Sequence, residues 1–103
     1  MISAVFSIRN GKPCGFTIEG HSGSAERGRD IVCAAVSSAA YMAVNTVTEI
    51  LGCEVQAEVR DGYMKISLRG DADAAKDIFS GLMLHLTELS KDYPDFIRIT
   101  TEV

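Results

Sequence analysis

The segment from Asp30 to Leu51 constrains the fold more than any other part of this chain. It runs through helix-forming and apolar residues, and Gly52 stops it. Wound as a helix, it is apolar on most of its circumference. A helix of that kind is expected to be buried on more than one side. Its alanines, Ala34, Ala35, Ala39, Ala40 and Ala43, let a sheet or a partner approach closely. The whole chain has 103 residues, which predicts a single domain over 1–103 with a real but thin core.

The flanking segments read as hairpins. Over residues 2–8, Ile2, Ala4, Phe6 and Ile8 point one way, and Ser3, Val5 and Ser7 the other. Asn10-Gly11 is a turn signal, and Phe16 and Ile18 continue a second strand that ends at Gly20. After the helix, Val55, Ala57 and Val59 alternate, Asp61-Gly62 turns, and Met64, Ile66 and Leu68 alternate again. Asp71 or Asp73 caps a second helix running to about Lys91. Its apolar stripe is Ala75, Ile78, Phe79, Leu82, Leu86 and Leu89. Pro94 breaks the chain before a last strand over 96–103. The order ββαββαβ predicts an α+β two-layer sandwich, two helices on a mainly antiparallel sheet.

Bulk chemistry narrows the function classes. The net charge of -4 disfavours a general nucleic-acid binder and suits a basic peptide or protein partner. Three cysteines, Cys14, Cys33 and Cys53, match no zinc spacing, so neither a metal nor another cofactor is expected. No secretion signal opens the sequence, and the most apolar run, Ile31 to Val44, is read as too short to span a bilayer. The expectation is a cytoplasmic protein with reduced thiols and no membrane partner.

His21 follows the end of the second strand, and Cys33 opens the helix twelve residues later. With Asp30 as N-cap, Cys33 stands at the third helical position. There the first-turn N–H groups and the helix dipole favour a thiolate, and the thiolate is the attacking form of cysteine. Asp30 opposes this in part through its own charge. His21 is a candidate base. The loop between them, with Ser22, Gly23 and Gly28, is a candidate substrate gate. Gly20 permits an unusual backbone angle or a close approach. Ser37 lies one turn beyond Cys33, either lining the site or bonding back to the Cys33 carbonyl. The plainer readings are an inert small cysteine, a surface histidine and an ordinary N-cap.

Gly20-His21, a glycine-containing loop and then Asp30-x-x-Cys33-Ala34-x-x-Ser37 together resemble the Prp family of ribosomal-processing cysteine proteases. The resemblance extends to the length and the element order. It implies a small endopeptidase with Cys33 as nucleophile and His21 as base, and Gly20, Asp30 and Ser37 at further motif positions. It implies as substrate a precursor of large-subunit ribosomal protein twenty-seven, whose short N-terminal extension is removed. Cleavage after aromatic residues and a homodimeric assembly are implied as well.

Two other readings compete. One is a non-enzymatic ribosome-assembly adaptor docking through the alanine-rich helix. The other is a thiol redox sensor built on Cys33, weakened by the lack of a resolving cysteine at a suitable spacing. Cys14 and Cys53 are read as packing residues and His85 as a partly exposed structural histidine. Asp71, Asp73 and Asp77 complement the second helix dipole, and Met42, Met64 and Met83 fill the core.

Overall fold

A computed structural model describes residues 1–20 and 30–103. Strand β1 (Ile2–Arg9) turns at Asn10 and Gly11 into β2 (Lys12–Glu19). Both turn residues have positive φ, 54° and 76°, which matches the twist of a two-residue hairpin. Inward-facing Ile2, Ala4 and Phe6 are fully buried. The register slips between Ser7 and Ile8, so that Ser7 faces Gly15 and Ile8 faces Pro13. The bulge leaves Cys14 as the extra residue and accommodates Pro13, which has no N–H to give.

The second hairpin pairs β3 (Val55–Arg60) with β4 (Tyr63–Leu68), and β5 (Ile97–Glu102) closes the chain. The sheet order is β3-β4-β2-β1-β5. All pairs are antiparallel except β1 with β5, which run parallel from Ile2↔Ile97 to Ser7↔Glu102. Two helices, α1 (Ile31–Asn45) and α2 (Lys76–Asp92), complete the ββαββαβ order expected for an α+β chain.

Helix α1 continues into a π-helical turn, Thr46–Ile50, before Leu51 and Gly52. The hydroxyls of Thr46 and Thr48 donate to the carbonyls of Met42 and Val44 at 2.7 and 3.0 Å. Such back-bonds loosen and bend a helix end. The continuous segment Ile31–Ile50 has 20 residues and a mean hydropathy of 1.5, enough in length and composition to cross a membrane. This corrects the sequence reading, which took only the run to Val44. Here the segment lies against the sheet, burying Val32, Val36, Ala40, Ala43 and Val47.

Ala35 and Ala39 are half-buried and line a groove shared with Ile78 and Leu82 of α2. Helix α1 is thus buried on more than one side, against the sheet and against α2, as its apolar circumference leads one to expect. Elsewhere on the segment Ile31, Tyr41 and Met42 of α1 and Ile50 of the π-helical turn are exposed. Met42, expected in the core, lies outside it, whereas Met64 is buried and Met83 half-buried.

Asp71 caps a short 3-10 turn, Ala72–Ala74, by accepting the Asp73 N–H at 2.9 Å. Helix α2 starts only after Ala75 and has no side-chain cap, so neither Asp71 nor Asp73 caps it as expected. Ala75 is buried and joins the core before the helix winds. The α2 stripe is otherwise as expected: Phe79, Leu82 and Leu86 are buried, Ile78 and Leu89 partly so. Phe16 is the aromatic centre of the core. Its ring lies 5.6 Å from Phe6 and 5.7 Å, edge-on, from Phe79.

On β3, Val55, Ala57 and Val59 share a face with their partners Leu68, Ile66 and Met64. Those partners are buried, yet of the β3 residues only Val55 is half-buried. The helices cover the sheet as far as β4 and leave the edge strand open.

Candidate active site

Asp30 ends the approach to α1 in a non-helical conformation. Its Oδ1 accepts the backbone N–H of Cys33 at 2.9 Å, and its carbonyl accepts the N–H of Ala34 at 3.1 Å. This is an N-cap in full, with Cys33 at the third helical position. The thiol is half-buried and packs against the core. It therefore sits in the first turn, where the helix field favours negative charge.

A groove of about 330 Å³ opens beside it. One wall is the face of α1 that carries Cys33, Ser37 and Tyr41, with Val36 and Ala40 below them. The floor is Ile2, Ile18 and Met64, and the far side is the β3–β4 turn from Val59 to Tyr63. Tyr63 lies under the Arg60 guanidinium, 3.8 Å from ring centroid to Cζ, which stiffens that turn.

Gly20 also lines the groove, at the end of β2. Its φ is +96°, and a Cβ there would run into the Met1 carbonyl oxygen. Its N–H donates to the Gly62 carbonyl at 2.9 Å. Both grounds for a glycine, the backbone angle and the close approach, hold at this one position. Gly20 thereby fixes where the chain leaves the sheet on its way to Cys33.

Of the residues singled out from sequence, Cys33, Ser37 and Gly20 meet in one groove, and Asp30 holds the Cys33 amide. Ser37 is exposed, one turn along the helix from Cys33. His21 lies outside the described residues, as do Ser22, Gly23 and Gly28 of the loop read as a gate. Tyr41, Val59 and the 60–63 turn were not foreseen at the site. Tyr41 had a readable signal, because Cys33, Ser37 and Tyr41 follow the i, i+4, i+8 spacing of one helix face. The turn had none, since only sheet topology brings it there.

Cys14 is half-buried at the bulge, where its thiol donates to the Ser7 carbonyl at 3.4 Å. Cys53 is half-buried against the core. His85 is exposed beside the groove between α1 and α2. Among the described residues, no group of three or more His, Cys, Asp or Glu is placed to hold a metal.

A half-buried thiol in the first turn of a helix, beside a groove of about 330 Å³, is the setting of a cysteine nucleophile and fits the class of small thiol hydrolases. Comparison with known proteins takes this class to a family. The family model described as cysteine protease Prp matches residues 1–98. The ribosomal processing cysteine protease Prp of Bacillus subtilis is 33% identical over 95 residues, covering 85% of each chain. The Staphylococcus aureus protease Prp with a covalently linked product peptide superposes with a TM-score of 0.92. It is 24% identical, and the match covers 99% of this chain and 100% of that one. A Streptococcus mutans protein of solved structure gives a TM-score of 0.79 at 35% identity, over 99% and 96% of the two chains. This chain belongs to the Prp family and is a cysteine protease of that family.

Proposed function

We propose that this protease removes the N-terminal extension of large-subunit ribosomal protein twenty-seven, with Cys33 as nucleophile and His21 as general base. The observation that carries the reading is the position of Cys33, third in α1 and at one end of the groove. His21 takes the thiol proton, and the thiolate sulfur attacks the scissile carbonyl carbon. The resulting oxyanion collapses as the C–N bond breaks, and the imidazolium gives its proton to the departing amine. The extension stays on Cys33 as a thioester until water, deprotonated by His21, frees it.

The Cys33 amide is committed to the Asp30 carboxylate, and other backbone N–H groups at the helix start stabilise the oxyanion. Asp30 acts here as a cap that sets the start of the helix. Ser37 borders the path of the substrate along α1, and Gly20 holds the chain in place before His21. The loop with Ser22, Gly23 and Gly28 admits the substrate. The protein works in the cytoplasm as one domain and as a homodimer, without metal, cofactor, nucleic acid or membrane. Its net charge of -4 suits a basic ribosomal substrate.

The test is cleavage of a peptide spanning the extension junction, followed by mass spectrometry. Native chain should cut once, at the junction, and His21→Ala should lose most of that activity. Cleavage by His21→Ala at the native rate would remove the histidine from the mechanism.

A further inference from the structure

Apart from the Cys33 thiol, the charge on the groove lining comes from one turn. The α1 wall contributes none, because no charged residue occurs from Ile31 to Thr48. The floor of Ile2, Ile18 and Met64 is apolar. The β3–β4 turn brings Arg60 and Asp61 to the lining. The Arg60 guanidinium is committed twice: it bonds the Glu58 carboxylate at 2.6 Å and covers the Tyr63 ring at 3.8 Å. Among the described residues, no hydrogen bond or ion pair engages the exposed Asp61 carboxylate. The turn therefore presents an uncompensated negative charge to whatever lies in the groove.

Strand pairing sets that charge close to the reaction. Glu19 faces Tyr63 across the β2–β4 ladder, and the Gly20 N–H bonds the Gly62 carbonyl at 2.9 Å. Asp61 thus stands beside the point where the chain leaves β2, and His21 is the next residue in sequence after Gly20. A carboxylate placed there reaches side chains that flank the cut. Lysine and arginine carry their charge on long stems, so a substrate backbone need not touch the turn to be read by it. An acidic side chain in the same place meets a like charge.

We infer that Asp61 is a specificity-determining residue that draws a lysine or arginine side chain of the substrate to the β3–β4 turn. That side chain lies within about three residues of the scissile bond, each worth about 3.3 Å of extended chain. The inference rests on the protease reading and assigns substrate charge selection to one carboxylate. The pair it makes is exposed and screened by salt. It acts on substrate affinity, and its loss raises KM with little change in kcat.

The experiment uses the junction peptide with its lysines and arginines replaced by Gln, and a series with one Lys placed at each of the three positions on either side of the cut. In low salt, native protein should cleave at least one member with kcat/KM raised about threefold or more over the Gln peptide, and the gain should shrink in about 0.5 M salt. Asp61→Asn should lose the gain through KM and cleave the Gln peptide at the native rate. The turn accepts Asn, because its positive φ of 70° falls at Gly62. Iodoacetamide should alkylate Cys33 of Asp61→Asn as fast as that of native protein. Asp61→Lys should reverse the preference, cleaving a peptide with Glu at the responsive position faster than its Lys counterpart. A flat series with native protein, a gain kept by Asp61→Asn, or an equal loss on every peptide overturns the assignment and leaves the protease reading standing. If native protein cuts neither the natural junction nor any member of the series, the protease reading fails and the assignment falls with it.

Discussion

Asp30 and Gly20 bracket the approach to Cys33, and each is held by a separate physical demand. Asp30→Ala removes the acceptor for the Cys33 amide and should cost about 1 kcal/mol in urea unfolding. Asp30→Asn keeps an equivalent acceptor and should cost far less. Equal losses for the two would show that the carboxylate charge matters more than the cap. Gly20→Ala forces a Cβ onto a residue with φ of +96° and against the Met1 carbonyl. Denaturant unfolding should show a loss of at least about 1–3 kcal/mol. A neutral result would mean that the end of β2 relaxes without cost.

At the scale of elements, the aromatic centre and one ion pair show two very different kinds of support. Phe79 packs edge-on against Phe16 and is fully buried, so Phe79→Ala should destabilise by about 3–5 kcal/mol in chemical unfolding. Lys12 of β2 pairs with Asp73 in the 3-10 turn, an exposed bridge that ties the first hairpin to the start of α2. The hydrogen bond from Lys12 lowers the Asp73 carboxyl below its usual range, and the same bond raises Lys12. The Asp73 contribution is therefore present above pH 3.8 and lost as pH falls through its lowered folded value. The Lys12 contribution is present below pH 10.5 and lost as pH rises through its raised folded value. A double-mutant cycle of Lys12→Met and Asp73→Asn should show a small coupling at pH 7 that fades in strong acid and in high salt. A coupling that persists in both would contradict a screened surface pair.

What the sequence disclosed also divides by element. Asn10-Gly11 and Asp61-Gly62 announced both hairpins, because a two-residue turn is a local device with few chemical solutions. Helix α1 and its cap were legible from Asp30 and the apolar run. The π-helical turn was not, since it depends on two threonine hydroxyls bonding back rather than on hydropathy. The late start of α2 was missed because Asp71 caps a shorter turn first. The alternation of β3 was read correctly, but its exposure was not. Whether a strand is covered depends on how far the helices reach across the sheet. Cys33, Ser37 and Gly20 could be linked by local motif spacing, whereas Val59 and Tyr63 reach the groove through the β2–β4 pairing.

Across the whole molecule, the sheet order brings the site together. Placing β4 beside β2 sets the β3–β4 turn opposite the first turns of α1, and the Gly20–Gly62 bond locks the two ends. The opposite edge strand is β5, parallel to β1. The proposed homodimer is expected to show in sedimentation at micromolar concentration as a species of twice the 11.1 kDa chain mass. A single species at the chain mass would contradict it. The central claim, covalent catalysis at Cys33, has a direct measurement: intact-protein mass spectrometry of a rapidly acid-quenched reaction with the junction peptide. The account predicts native chain carrying the N-terminal fragment less one water as a thioester, and no adduct and no cleavage with a folded Cys33→Ala. Undiminished cleavage by Cys33→Ala would contradict the account.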